Sequence, residues 1–165
     1  MLVAHSMGSI VAYDVLSFYK NNPYISTFVT MGSPLGLPIV ESKIFEEFHE
    51  IQLEPKTLIT PNSIVEHWYN FSDIHDKVAF NFKLSDDYAA NDGGVKPVDF
   101  LVNNDYSMNG KANPHKSFGY LRAPEFSKIL QKFILEEEPA KGKRIRGKLK
   151  HILIKVKGVM KPVPE

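Results

Sequence analysis

Apolar positions along the chain follow two patterns, short continuous runs and runs with helical spacing. The short runs are rich in β-branched and aromatic residues and predict buried strands. These predicted strands lie at residues 2–4, 25–31, 65–71 and 98–103. Apolar residues three and four positions apart predict helices that begin just past residue 6, near residue 39 and near residue 117. Because helices separate the strands, we expect an α/β fold with a parallel sheet of about four strands flanked by helices.

The second predicted helix, residues 39–51, carries one apolar face. This face is formed by Ile44, Phe45, Phe48 and Ile51. Such a face is typical of ordinary packing against a core, and a contact surface for acyl chains is the alternative interpretation. The residues that follow, 53–63, contain two prolines and are expected to be irregular.

Composition narrows the chemistry that the chain can carry out. A hydrophobic content of 43% is enough to form one core. The length of 165 residues is too short for two ordinary domains. The absence of cysteine excludes disulfides, thiol nucleophiles and thiolate metal sites. The sequence has no apolar run long enough to cross a membrane, and its first residues lack the features of a signal peptide. We therefore expect one domain. The absence of cysteine does not decide between the cytoplasm and an export route, and the location we expect is cytoplasmic.

Charge is divided unevenly along a chain whose net charge is +1. Residues 1–138 carry 11 Lys and Arg against 18 Asp and Glu, whereas residues 139–165 carry 9 Lys and Arg against one Glu. This division predicts a globular part and a basic tail. Within residues 141–161, apolar residues at helical spacing stand among the lysines, which is typical of a segment that binds an anionic membrane surface. A solvated tail, or one that docks on the acidic part, is the alternative, and the lack of aromatic residues in the tail argues against nucleic-acid binding.

A serine stands where the first strand gives way to the first helix, in the stretch AHSMG. A sharp turn at this point forces Ser6 toward an unfavourable backbone conformation and predicts small neighbours, here Ala4 and Gly8. The turn exposes the serine Oγ above the sheet and places a backbone N–H beside it to receive an oxyanion. Ser6 is therefore a candidate nucleophile, and a structural serine at a strand-to-helix turn is the alternative.

AHSMG resembles the nucleophile elbow of the α/β-hydrolase superfamily, with alanine in place of the first glycine of the GxSxG pattern. The resemblance implies a serine hydrolase of the esterase or lipase type that acts on a carboxylic ester, such as a lipid ester, without a cofactor. It implies that the backbone N–H of Met7 is one oxyanion donor and that residues 33–64 hold a small lid-like insertion. It also implies a carboxylate and a histidine that follow the serine along the chain.

The stretch after the third predicted strand, SDIHDKVA, resembles the acid loop of that superfamily, with Lys77 where proline is common. By this match Asp76 is the acid of the triad. Asp73 lies closer to the end of the strand and is the alternative acid. A third interpretation is that both aspartates only cap a following helix.

The stretch NPHKSFGY, just before the last predicted helix, resembles the histidine segment of esterases in the superfamily and makes His115 the base. His5 is a variable position of the elbow and is expected to support the site without taking part in the chemistry. The oxygen-rich residues 86–94 lack the spacing of a calcium loop and are expected to form a solvated loop.

The resemblance covers residues 1–135 and corresponds to the C-terminal half of a hydrolase, in which a second oxyanion donor comes from a loop upstream of the elbow. We therefore expect the first strand to lie at a sheet edge, where it is open to association. Two other functions stay open at this stage. One is a non-catalytic interaction module, and the other is an acyltransferase or thioesterase that uses the same triad.

Overall fold

A computed structural model describes residues 1–19, 24–51 and 56–135. The contacts between residues divide the chain into two units, one from Met1 to Ser127 and one that begins at Lys128. The described part of the second unit, residues 128–135, is helical. The predicted boundary at residue 138, the basic tail at 139–165 and its amphipathic segment at 141–161 lie outside the described residues.

Four parallel strands form the main sheet of the first unit. They are β1 (Leu2–His5), β2 (Ile25–Met31), β4 (Ile64–Ser72) and β6 (Pro97–Leu101). The strands pair in the order β1-β2-β4-β6, so their order in the sheet follows their order in the chain. The predicted α/β class with a four-stranded parallel sheet is confirmed, and the predicted strand bounds agree with the observed ones within two residues.

Three helices lie between these strands in the described chain, and a fourth follows the last strand. They are α1 (Met7–Phe18), α2 (Pro38–Glu50), α3 (Leu84–Asp87) and α4 (Ser117–Arg122). A single helix was expected from residue 117 onward, but α4 ends before Ala123 and a second helical segment covers residues 124–135. Proline at residue 124 explains the break, because it drives the preceding residue into extended conformation and is well suited to begin a helix.

Two small sheets complete the fold, and the sequence did not predict them. Strand β3 (Leu58–Ile59) pairs in parallel with β5 (Tyr88–Ala89), and β7 (Ser107–Met108) forms a hairpin with β8 (Lys111–Ala112). The prediction of an irregular segment at 53–63 is therefore wrong at β3, and its residues 53–55 lie outside the described chain. Residues 86–94, expected to form a solvated loop, begin with the end of α3 and the whole of β5.

An aromatic cluster holds one face of the main sheet to the helices. Tyr13 of α1, Trp68 of β4 and Tyr88 of β5 are fully buried, and the rings of Trp68 and Tyr88 meet edge to face at 5.1 Å. Phe48 of α2 packs against Phe18 of α1 at 4.9 Å, which confirms the packing interpretation for that position. Ile51, expected on the same buried face, is 53% exposed because α2 ends at the residue before it. Among the described helices, none combines the length and apolar character needed to cross a bilayer.

Because the strands are parallel, the residues that follow them lie along the same edge of the sheet. The carboxyl ends of β1, β2 and β4 open onto one edge of the sheet, and the loops that follow them begin at Ser6, Gly32 and Asp73. Ligand sites in open α/β sheets lie at this edge. Within the described chain β1 pairs only with β2, so it occupies the end position that the sequence predicted. Association through this edge stays a prediction.

Candidate active site

The turn between β1 and α1 has the strained geometry expected of a nucleophile elbow. Ser6 adopts φ 55° and ψ −134°, a region that residues with a side chain rarely occupy. Its N–H donates to the carbonyl of Met31 at 3.0 Å, and the N–H of Ser9 donates to its carbonyl at 2.9 Å. Strain of this kind costs about 1–3 kcal/mol, and these two bonds help to hold the turn in place.

The expectation of small neighbours holds at one side of the turn only. Ala4 is buried, with 8% of its surface exposed. A side chain at Gly8 would meet no atom within 4 Å, so the described residues do not require glycine there. The small residue at position 8 has no packing explanation in the structure.

Three side chains predicted from the sequence meet above the elbow. The hydroxyl of Ser6 lies 2.9 Å from Nε2 of His115. On the other side of the ring, Nδ1 lies 2.9 Å from Oδ2 and 3.0 Å from Oδ1 of Asp76. Asp76 is fully buried at its carboxylate, whereas the His115 side chain is 30% exposed. The base is thus open toward solvent and the acid is enclosed.

Hydrogen-bond chemistry assigns the protons in this chain of contacts. A carboxylate only accepts, so Nδ1 of His115 carries the proton and donates to Asp76. Nε2 is then a lone-pair acceptor, and the hydroxyl of Ser6 donates to it. This is the arrangement in which a histidine can take the proton of a serine as that serine attacks.

Asp76 is held by two further donors. The hydroxyl of Tyr120 donates to Oδ2 at 2.7 Å, and the N–H of Val78 donates to Oδ1 at 2.9 Å. Burial, together with the hydrogen bond to Asp76, raises the pKa of Tyr120 well above its usual range. The phenol therefore stays protonated and remains a donor, so the carboxylate is fixed in direction as well as in position.

The alternative acid, Asp73, has different partners. Its carboxylate accepts from the N–H groups of His75 at 2.7 Å and Asn104 at 2.6 Å, and from the His75 ring. Its own N–H donates to the hydroxyl of Tyr120 at 3.1 Å. The structure therefore gives Asp73 a place in the loop architecture, and the ring of His115 is oriented by Asp76.

The third interpretation, in which both aspartates cap a helix, does not match the structure. The next helix, α3, begins only at Leu84, and its first amides are bound by a different carboxylate. Asp99 of β6 accepts from the N–H of Leu84 at 3.1 Å and from that of Ser85 at 3.0 Å. The capping group comes from a strand 15 residues downstream, which sequence spacing does not reveal.

Gly32 directly follows β2 and lies against the acid–base pair. Its φ of +52° lies in the left-handed region, and its N–H donates to the carbonyl of Phe71 at 2.9 Å. A Cβ at this position would lie 2.8 Å from Oδ2 of Asp76, 3.1 Å from the Tyr120 ring and 3.2 Å from Nδ1 of His115. The acid–base pair therefore occupies the space that a side chain would need.

His5 supports the backbone of the base, as the sequence suggested. Its Nε2 lies 2.7 Å from the carbonyl of His115, so this nitrogen carries a proton and donates. The two rings lie 4.8 Å apart. Burial is the main effect that lowers the pKa of His5, which favours the neutral ring in this role.

Met7, the expected oxyanion donor, is the first residue of α1. The N–H groups of the first helical turn have no acceptor within the helix, and the partial positive charge of a helix lies at this end. The backbone of Met7 therefore offers a donor next to Ser6. Within the described ranges, no three His, Asp or Glu side chains are grouped so as to hold a metal ion.

Comparison with protein families, with curated proteins and with solved structures gives no match. The geometry of the site is therefore the basis for a function of this chain.

Proposed function

We propose that the chain is a serine hydrolase of the α/β-hydrolase type that cleaves carboxylic esters through an acyl-enzyme. The observation that carries the proposal is the unbroken line of hydrogen bonds from Ser6 through His115 to Asp76, built on a strained serine. The serine follows the first strand of a parallel sheet, and the acid and base follow it along the chain in the order of that superfamily.

The proposed reaction uses each group in one role. Ser6 Oγ attacks the ester carbonyl carbon as its proton passes to Nε2 of His115, and Asp76 stabilises the imidazolium that forms. The oxyanion of the tetrahedral intermediate is received by the N–H of Met7. His115 then gives its proton to the leaving alcohol as the carbon–oxygen bond breaks. Water, activated by the same histidine, hydrolyses the acyl-serine and restores Ser6.

The substrate class is a carboxylic ester, with lipid esters as one candidate. The triad itself accepts several acyl chemistries, because a thioester leaving group or an alcohol acceptor could use the same three residues. Hydrolysis of p-nitrophenyl esters of increasing chain length, compared with a thioester and with transfer to an added alcohol, separates these activities. Faster transfer than hydrolysis would assign an acyltransferase.

A fluorophosphonate probe tests the nucleophile directly, because it labels only an activated serine. We expect the wild-type chain to be labelled and Ser6→Ala to remain unlabelled. Ser42→Ala is the matched control, since that hydroxyl lies on the exposed side of α2 and donates to the carbonyl of Pro38. Absence of labelling in the wild-type chain, or equal labelling of Ser6→Ala, would leave the interaction module as the better interpretation.

A pair of aspartate variants tests the assignment of the acid. Asp76→Asn should lower the labelling rate by orders of magnitude, about 10⁴-fold in the best-studied triads, because the amide disturbs the tautomer of the histidine. Asp73→Asn is expected to act mainly on stability, since its contacts hold the loop. A nearly silent Asp76→Asn beside a severe Asp73→Asn would contradict the assignment.

A further inference from the structure

The loop that carries the base is fastened by a buried asparagine 11 residues before it. The side-chain amide of Asn104 donates to the carbonyl of Pro114 at 2.6 Å and to the carbonyl of Lys116 at 2.9 Å. These carbonyls flank His115 on both sides. Asn104 is 5% exposed, so water does not readily replace these bonds.

The remaining groups of Asn104 fix the asparagine itself. Its N–H donates to Oδ2 of Asp73 at 2.6 Å, and its Oδ1 accepts from the N–H of Tyr106 at 3.2 Å. A Cβ at Gly119 of α4 would lie 1.5 Å from that Oδ1, so the helix after the base packs directly on the amide. The side chain is therefore held between the acid loop and the helix that follows the histidine.

Three consecutive carbonyls around the base thus accept side-chain donors. Asn104 serves the first and the third, and His5 serves that of His115 itself. Fixing the peptide on both sides of a residue restricts the direction of its side chain. The ring of His115 must meet Ser6 and Asp76 within hydrogen-bond distance at the same time, and a misplacement of about 1 Å can lower a rate by about 10²-fold.

We propose that Asn104 is a positioning residue that aligns His115 between the serine and the acid, an inference that rests on the proposed hydrolase function. Asn104 does not touch the reacting atoms. It acts on the backbone of the base and links that backbone to the loop that begins at Asp73.

The chain contains a matched control for this asparagine. Asn91 is also buried, with 7% exposure, and its amide donates to the carbonyls of Pro61 at 3.0 Å and Ile64 at 2.9 Å. Its Oδ1 accepts two backbone N–H groups, so it has the same kind of hydrogen-bonding role in a loop without a triad residue. Asn91→Ala and Asn104→Ala should therefore lose comparable stability for comparable reasons.

The experiment measures fluorophosphonate labelling of the full chain as a maximal rate and a half-saturating concentration. Asn104→Ala should lower the maximal rate by at least about 10-fold without changing the half-saturating concentration, and Asn91→Ala should change neither. In the background of His115→Ala, the Asn104 change should have no further effect on the maximal rate, because the residue acts through the histidine. Equal rates in both asparagine variants, or a full additional loss in that background, would overturn the inference.

A second variant and a second measurement keep the test decisive. Asn104→Asp retains the acceptor for the N–H of Tyr106 but removes both donors to the loop carbonyls. It therefore replaces Asn104→Ala if the alanine variant does not fold, and it should lower the maximal labelling rate by the same factor. The Nδ1 proton of His115, observed by NMR and assigned by its loss in His115→Ala, reports the ring directly. Its loss in Asn104→Asp, with retention in Asn91→Asp, supports the inference, and its retention in both overturns it. This readout decides the point even if an unlabelled wild-type chain refutes the hydrolase proposal.

Discussion

Replacing Gly32 by alanine tests whether Asp76 and His115 need the space that a side chain at this position would take. The substitution adds one carbon at a backbone position with φ +52°. That carbon would lie 2.8 Å from Oδ2 of Asp76, closer than a real Cβ contact allows, and 3.2 Å from Nδ1 of His115. Asp76, His115 or the turn itself must then shift.

The magnitude of the effect has two parts. An alanine in the left-handed region costs about 1–2 kcal/mol, and forcing a group into an already filled site costs about 1–3 kcal/mol. We therefore expect Gly32→Ala to lower the free energy of unfolding by about 2–5 kcal/mol. Native domains have free energies of unfolding of about 5–15 kcal/mol, so we expect the variant to fold at low temperature. The labelling rate of Ser6 should fall by about 10²-fold if the pair moves by about 1 Å.

Gly94→Ala is the control that measures the backbone strain alone. Gly94 has φ +79°, and a Cβ there would meet no atom within 4 Å, so only the backbone strain is added. Urea unfolding and fluorophosphonate labelling of both variants separate strain from collision. Gly94→Ala should lose about 1–2 kcal/mol and keep the wild-type labelling rate. If Gly32→Ala matched Gly94→Ala in stability and in labelling, the collision argued from the structure would not exist.

Three further substitutions have defined outcomes. Tyr120→Phe removes a donor from Asp76 and should lower both the labelling rate and the unfolding free energy, the latter by about 1–3 kcal/mol in urea unfolding. Burial and then the nearby charge of Asp87 raise the pKa of Glu41 from 4.5 to about 6, so stability is lost as pH rises from about 4.5 through 6. Glu41→Gln should therefore raise the melting temperature at pH 8 relative to wild type, and this gain should shrink toward pH 4. Gly8→Ala, in the open first turn of α1, should raise stability by about 0.5–1 kcal/mol, and a loss in urea unfolding would reveal a contact there.

Local signals were sufficient to predict the sheet and to single out the three residues of the proposed triad. The run at 25–31 is continuous and rich in β-branched residues, and β2 has those bounds. Ser6 could be found because a strand, a small-residue turn and a helix follow one another directly. Asp76 and His115 could be proposed because their loops resemble segments with a known order along the chain, and the structure brings both onto one line with the serine.

Apart from His5, the supporting residues could not be predicted, because their roles arise only where distant segments meet. Gly32 lies 44 residues before the aspartate whose space it preserves, and Tyr120 lies 44 residues after it. Asn104 has no signal of its own, since a buried asparagine and a solvated one look alike in a sequence. The pairing of β3 with β5 involves two residues in each strand, too few for a periodic pattern.

The strand order β1-β2-β4-β6 has a consequence for the order in which Ser6, Asp76 and His115 come together during folding. Ser6 directly follows the first strand of the main sheet and Asp76 lies in the loop after its third strand. His115 follows the last strand of that sheet and lies 109 residues from the serine in sequence. Loop closure over such a separation is slow compared with local pairing. We therefore expect the hydroxyl of Ser6 to gain its hydrogen bond to His115 only after the fourth strand of the main sheet is in place. Time-resolved labelling during refolding would report completion of the sheet, in contrast to far-UV dichroism, which follows the earlier formation of helices.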